Sequence, residues 1–144
     1  MRVIYFYSEE INFIPQHKTN LRKWIQNAIE DKQKKALRIN YIFTTDAFLI
    51  NINKKFLNHN TYTDIITFDQ SLNKDLIEAD IFISVERVKE NSRKFKIPFK
   101  DELHRVMIHG VLHLIGYNDK TETQKKEMRK IENHYLALRF LNNN

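Results

Sequence analysis

Only two glycines occur in the 144-residue chain, and both fall within His109-Gly110-Val111-Leu112-His113-Leu114-Ile115-Gly116, a window that also holds two of the six histidines. His109 and His113 stand at i and i+4, so on a helix they lie one above the other with ring nitrogens close enough to share a metal ion. Gly116 supplies a stop, because glycine accepts the left-handed conformation that ends a helix. The chain can then turn back and bring Tyr117, Asn118 or Asp119 towards the two imidazoles. Gly110 is a different signal. Glycine in a helix interior costs about 1 kcal/mol relative to alanine, so its presence there points to close approach by a neighbour.

The frame of His-x3-His, a glycine three residues later and a ligand-capable residue three beyond that is similar to the metzincin zinc site. Here the last position is Asp119. Two imidazoles and one carboxylate leave the fourth tetrahedral position open to water, which is the catalytic rather than the structural pattern for zinc. A peptidase of the zincin type places a glutamate base after the first histidine, and Gly110 stands there instead. An i, i+4 histidine pair also suits two rings held in a helix interface, and it is the added Gly110, Gly116 and Asp119 that favour the metal.

The run from Glu102 to Tyr117, Glu-Leu-His-Arg-Val-Met-Ile-His-Gly-Val-Leu-His-Leu-Ile-Gly-Tyr, resembles the signature of the YbeY family of bacterial rRNA maturation endoribonucleases, His-Gly-x-Leu-His-Leu-x-Gly-Tyr-Asp-His. Two further stretches agree. Leu57-Asn58 with Thr63-Asp64-Ile65-Ile66-Thr67-Phe68 resembles the family's Leu-Asn and Thr-Asp-Val-Leu-Ser-Phe segments, and Ala79-Asp80-Ile81-Phe82-Ile83-Ser84 its Gly-Asp-Ile-x-Ile-Ser strand.

The resemblance implies a single-strand-specific, metal-dependent endoribonuclease acting in maturation of the 16S rRNA 3′ end and in ribosome quality control. One Zn2+ per chain, or another divalent metal, is expected on His109, His113 and Asp119. Rival readings are a zinc hydrolase of peptides or small molecules, and a non-catalytic ribosome-assembly factor with a structural metal. Expected partners are single-stranded rRNA, the ribosome or its small subunit, and a ribosomal protein or assembly GTPase, in the cytoplasm. Most of the family has a histidine where Asp119 stands, so His134, His59 and Asn118 stay open as alternatives. The family also has an arginine, thought to hold phosphate, before its Thr-Asp segment. This chain has the shorter link His59-Asn60-Thr61-Tyr62 without one. Arg105, one helical turn before His109, is the candidate replacement, its fork of donors suiting phosphate. It equally suits a surface pair with Glu102 or Asp101. Lys54, Lys55 and Lys120 are alternatives, and Tyr62 and Tyr117 are candidate RNA contacts.

With 24 Lys+Arg against 18 Asp+Glu, the net charge of +6 and pI near 9.5 favour a polyanionic partner. The clusters Lys32-Gln33-Lys34-Lys35 and Lys125-Lys126 read equally as solvated helix faces. Absence of cysteine excludes disulfides and thiolate ligands. No apolar run is long enough to span a membrane, and no secretory signal stands at Met1.

Periodicity predicts strands over Val3–Phe6, Leu37–Phe43, Ile65–Phe68 and Asp80–Ile83, with Leu37, Ile39, Tyr41 and Phe43 on one face. Helices are expected at Leu21–Ile29, after an Asp46 cap burying Phe48, Leu49, Ile52 and Phe56, and from a Ser84 cap through Val88 and Phe95. The metal helix follows. Thr121-x-x-Gln124 reads as a capping box opening a last helix with Met128, Ile131, Tyr135 and Leu138 inward. The expected fold is α+β: a small mixed four-stranded sheet packed against about five helices, the metal site on a central helix, in one domain over residues 1–144.

Overall fold

The computed structural model describes residues 2–57 and 63–140. His59, an alternative third ligand, and Tyr62, a candidate RNA contact, lie with the rest of their link outside the described residues. The elements run β1 (Ile4–Ser8), α1 (Lys18–Glu30), β2 (Lys35–Thr44), α2 (Asp46–Leu57), β3 (Ile65–Asp69), β4 (Leu76–Ser84), α3 (Val85–Phe95), α4 (Phe99–Leu114) and α5 (Glu122–Ala137). The strands form one mixed sheet in the order β1-β2-β4-β3, parallel between β1, β2 and β4 and antiparallel between β4 and β3. This is the α+β arrangement the patterning predicts.

Alternation decides which face of each strand is buried. Ile39, Tyr41 and Phe43 of β2 and Ile77, Ile81 and Ile83 of β4 form a core with Leu21, Trp24 and Ile25 of α1 and Met107, Ile108, Val111 and Leu112 of α4. Helix α4 therefore runs through the centre of the protein. Its one interior glycine shows why. A Cβ built on Gly110 would lie 2.9 Å from Ile65 Cδ1 and 3.4 Å from Ile81, so the close approach foreseen there is made by the sheet. Buried polar groups on this face find partners: Tyr41 donates its hydroxyl to Met107 O at 2.9 Å, and Trp24 its indole N–H to Tyr135 O at 2.6 Å.

Four expectations change. Leu37 is 48% exposed because the register of β2 on β4 slips between Ala36 and Arg38, and the bulge takes it off the inward face. The cap of α2 is Thr45, whose hydroxyl accepts from Phe48 N, while Asp46 takes Ser84 Oγ and Arg87 Nη2 at the start of α3. Phe56, at the end of α2, is 64% exposed; Leu49 and Ile52 pack on Ile66 across the other sheet face, while the Phe56 ring meets the ring of Phe68 and has Lys55 Nζ 5.8 Å from its centroid. Leu138 follows the last turn of α5 and stays partly exposed. The Ser84 cap and the Thr121–Gln124 capping box form as the sequence predicts.

Candidate metal centre

Helix α4 ends in the way its glycine allows. Gly116 has φ +115°, its N–H donates to His113 O at 3.1 Å, and the Tyr117 N–H donates to Leu112 O at 3.0 Å, the paired bonds of a Schellman motif. The reversal carries the chain back over the last turn of α4. Asp119 then faces the two histidines: its Oδ2 lies 3.3 Å from His109 Nε2 and its Oδ1 3.4 Å from His113 Nε2, while the two Nε2 atoms are 3.0 Å apart. The structure thus brings together all three residues nominated from spacing, with one donor atom of each within 4.8 Å of the others.

These donors fit a metal. Nitrogen and oxygen ligands placed about 2.0–2.2 Å from a tetrahedral zinc are roughly 3.3 Å from one another, the spacing found here. His109 Nδ1, the nitrogen turned away from the trio, has a partner of its own in Glu132 Oε2 at 2.6 Å. Among the described residues no other group of acidic or histidine side chains meets the same test. His134 is exposed on α5, its ring against Tyr135, and Asn118 is exposed, so neither joins the trio.

Beside the trio opens a cleft of about 260 Å³ bounded by Asp64, Glu102, Arg105, His109, Asp119 and Glu132. Arg105 reaches it from α4, but its guanidinium is engaged with α5: Nη1 donates to Glu132 Oε1 and Nη2 to Asn133 Oδ1, both at 2.8 Å. Its partners are therefore on the neighbouring helix, and neither is Glu102 or Asp101. Tyr117 packs partly against the core with Lys32 Nζ 4.7 Å above its ring. Lys54 and Lys55 lie in the last turn of α2, and the Lys120 backbone N–H donates to Gln124 Oε1.

Three carboxylates of this cleft were not nominated from sequence. Glu132 and Glu102 are each only 5% exposed. Glu132 could have been found, because it falls in the same stripe of α5 as Met128, Ile131 and Tyr135, where a charge needs a partner. Burial favours its neutral form, but hydrogen bonds from His109 and Arg105 outweigh that and hold it below the ordinary glutamate range. Burial likewise pulls His109 down, and here too the Glu132 hydrogen bond, with the charges of Glu132, Asp119 and Asp64, prevails and raises it. Glu102 is shifted up by burial and then by the charge of Asp64. Asp64, immediately before β3, is shifted up by burial against the opposing pull of His109. Neither Asp64 nor Glu102 carries a periodic signal that separates it from a turn residue or a first-turn helix carboxylate.

The family model for Endoribonuclease YbeY matches residues 6–139, which include the whole trio and its cleft. The chain belongs to the YbeY endoribonuclease family. Proteins called Endoribonuclease YbeY from Karelsulcia muelleri, Flavobacterium psychrophilum and Cytophaga hutchinsonii are 52%, 47% and 45% identical to it over 132, 132 and 136 residues. These alignments cover 92%, 92% and 94% of this chain and 92%, 94% and 95% of those relatives. A solution structure from Thermotoga maritima is also similar, with a TM-score of 0.67 and 25% identity over 96% of this chain and 89% of that one. YbeY membership makes this an endoribonuclease family member, and its candidate metal cluster is built from one helix end and the turn after it.

Proposed function

We propose that this chain is a metal-dependent endoribonuclease that cleaves single-stranded rRNA in maturation of the 16S 3′ end and in ribosome quality control. The observation that carries the reading is the convergence of His109 Nε2, His113 Nε2 and Asp119 at the mouth of a cleft that also holds Arg105. Zinc is the proposed ion, since two imidazoles and a carboxylate suit it and leave one position open. When bound, it would polarise a phosphate oxygen or lower the pKa of a water so that hydroxide is present near neutral pH.

The chain's own residues do the rest. His109 and His113 are held at fixed spacing by α4, and Asp119 is fixed over them by the Gly116 turn. Arg105 borders the cleft with two of its five donor hydrogens committed to α5, leaving others to offset charge that builds on a phosphate. Lys54, Lys55 and Lys120 add attraction without the fork geometry. The net charge of +6 suits an RNA partner and the small ribosomal subunit. A ribosomal protein or assembly GTPase is the proposed protein partner, the cytoplasm the proposed location, and one domain over residues 1–144 the proposed unit. No helix among the described residues is long and apolar enough to cross a membrane.

The test is elemental analysis of the parent beside His113→Ala and Asp119→Ala, with cleavage of a single-stranded rRNA fragment assayed on the same samples. Near-stoichiometric metal in the parent, lost from both variants together with cleavage, is the expected result. Metal without cleavage in the parent would overturn the nuclease reading. A 2′,3′-cyclic phosphate on the product would assign the attack to the ribose 2′-hydroxyl rather than to water.

A further inference from the structure

Among the described residues, Glu132 is the one side chain that touches both a nominated ligand and the nominated phosphate cation. Its Oε2 lies 2.6 Å from His109 Nδ1 and its Oε1 2.8 Å from Arg105 Nη1, with Arg129 Nη1 a further 3.9 Å contact on Oε1. An ionised carboxylate only accepts hydrogen bonds, so the proton on this side of His109 must sit on Nδ1. In the neutral imidazole that a divalent cation binds, this proton leaves Nε2, the atom facing His113 and Asp119, as the nitrogen able to ligate. The other oxygen is occupied by an arginine that only donates, so the two ends of the carboxylate cannot trade roles without breaking a bond.

We propose that Glu132 is the positioning residue of the site, a carboxylate on α5 that holds His109 with Nε2 presented to a divalent cation and ties Arg105 at the edge of the same cleft. The inference rests on the reading of His109, His113 and Asp119 as metal ligands. One buried carboxylate thereby sets the orientation of both the ligand and the cation, and makes α5 part of the centre although it contributes no ligand. Carboxylates in this relation to a ligating histidine typically strengthen metal binding by about 10–100-fold.

The experiment measures zinc affinity directly, by competition with a chromophoric chelator, on the parent, Glu132→Gln and Arg105→Ala. Glutamine keeps the shape, but its single carbonyl can accept from His109 or from Arg105 and its amide opposes the other donor. The expected result is zinc binding weakened about 10–100-fold in Glu132→Gln and changed by less than about threefold in Arg105→Ala. Equal weakening in both variants would mean that Glu132 merely ties α4 to α5 and would overturn the proposal, as would a folded Glu132→Gln that binds zinc like the parent. Should Glu132→Gln fail to fold, nitrogen NMR of the zinc-loaded parent decides: a proton on His109 Nδ1 with the metal on Nε2 supports the assignment, and metal on Nδ1 overturns it. A parent that binds no zinc, nickel or manganese removes the metal reading and this inference with it, whereas zinc in the parent with unchanged affinity in Glu132→Gln removes this inference alone.

Discussion

His104 and His109 lie on the same helix, and each has its Nδ1 engaged by a charged side chain from α5 or just beyond it, yet the two partners have opposite sign. His104, 3% exposed, stands 2.7 Å from Arg139 Nη1, a group that can only donate, so its Nδ1 must be a bare acceptor. Burial and then the Arg139 charge push its pKa down to about 4. Arg139 is anchored in turn by Asp101 at 3.0 Å. His109 meets Glu132 instead and is held above its ordinary value once that partner has overcome burial. The fold thus makes two clamps from one helix pair: at the first the imidazole is kept neutral as an acceptor, at the second it is made a donor whose far nitrogen faces His113 and Asp119. What a histidine does here is decided by the charge of the residue the neighbouring helix delivers, which spacing along α4 does not contain.

The comparison breaks most sharply if each ring is removed in turn. His109→Ala is expected to lose bound metal and to drop RNA cleavage to background, while His104→Gln, which keeps an acceptor for Arg139, retains both metal and cleavage. Elemental analysis and a cleavage assay on the two variants check this. Metal loss from His104→Gln would mean that the two ends of α4 are not independent.

Acid sensitivity gives the next largest effect. The folded-state pKa of His104 lies near 4, below its unfolded value of about 6.5, so the unfolded chain binds the extra proton first. The contribution of this group to stability is therefore complete above pH 6.5 and is lost as pH falls towards 4. The difference amounts to roughly 3 kcal/mol at 1.36 kcal/mol per unit. Denaturant unfolding of the parent and His104→Gln between pH 7 and 4 should show stability converging as acid is added; parallel curves would show that His104 is already charged in the fold.

The two clamps were unequally legible in the sequence. The convergence of His109, His113 and Asp119 was readable because all three come from eleven consecutive residues, 109–119, whose geometry follows from helical spacing and one glycine. The sheet, the helices and two of the caps follow from local alternation and capping chemistry. Glu132 is legible as a charge on the apolar stripe of α5, but neither it nor Arg139 is legible as a partner of a particular histidine, since they meet α4 only after α5 has docked, 23 and 35 residues along the chain from His109 and His104. Leu37 and Phe56 were misplaced for a related reason: a bulge in β2 and the limited reach of α2 across the sheet are properties of packing, and periodicity continues through both.

Cutting the distal clamp from its other side tests the same account at smaller cost. Arg139→Met removes donors from His104 and Asp101 and leaves the buried imidazole without its partner, a loss of about 1–3 kcal/mol at neutral pH. It also removes a charge that lowers the His104 pKa, so the acid sensitivity of this variant should be smaller than that of the parent. Zinc affinity, set at the other end of α4, is expected to stay within about threefold. Calorimetry across pH, with the chelator competition at pH 7, reads both; an unchanged acid slope would mean that burial alone keeps His104 neutral.

The mildest change sharpens how independent the two ends are. Helix α5 begins immediately after the turn that carries Asp119, and its first turn is closed by Thr121 Oγ1 accepting from Gln124 N at 3.1 Å while Gln124 Oε1 accepts from the Lys120 and Thr121 N–H groups. Thr121→Ala opens one of these bonds and should cost about 1 kcal/mol. Fraying spreads from the end of a helix, so the loosening falls on Asp119 and the Gln124 bonds, and it fades before Arg139 at the far end of α5. The expected signature is therefore a severalfold weaker zinc affinity with an acid slope identical to that of the parent. If instead the slope changes and zinc binding does not, α5 moves as one rigid rod, and the two clamps form a single device coupled along its length.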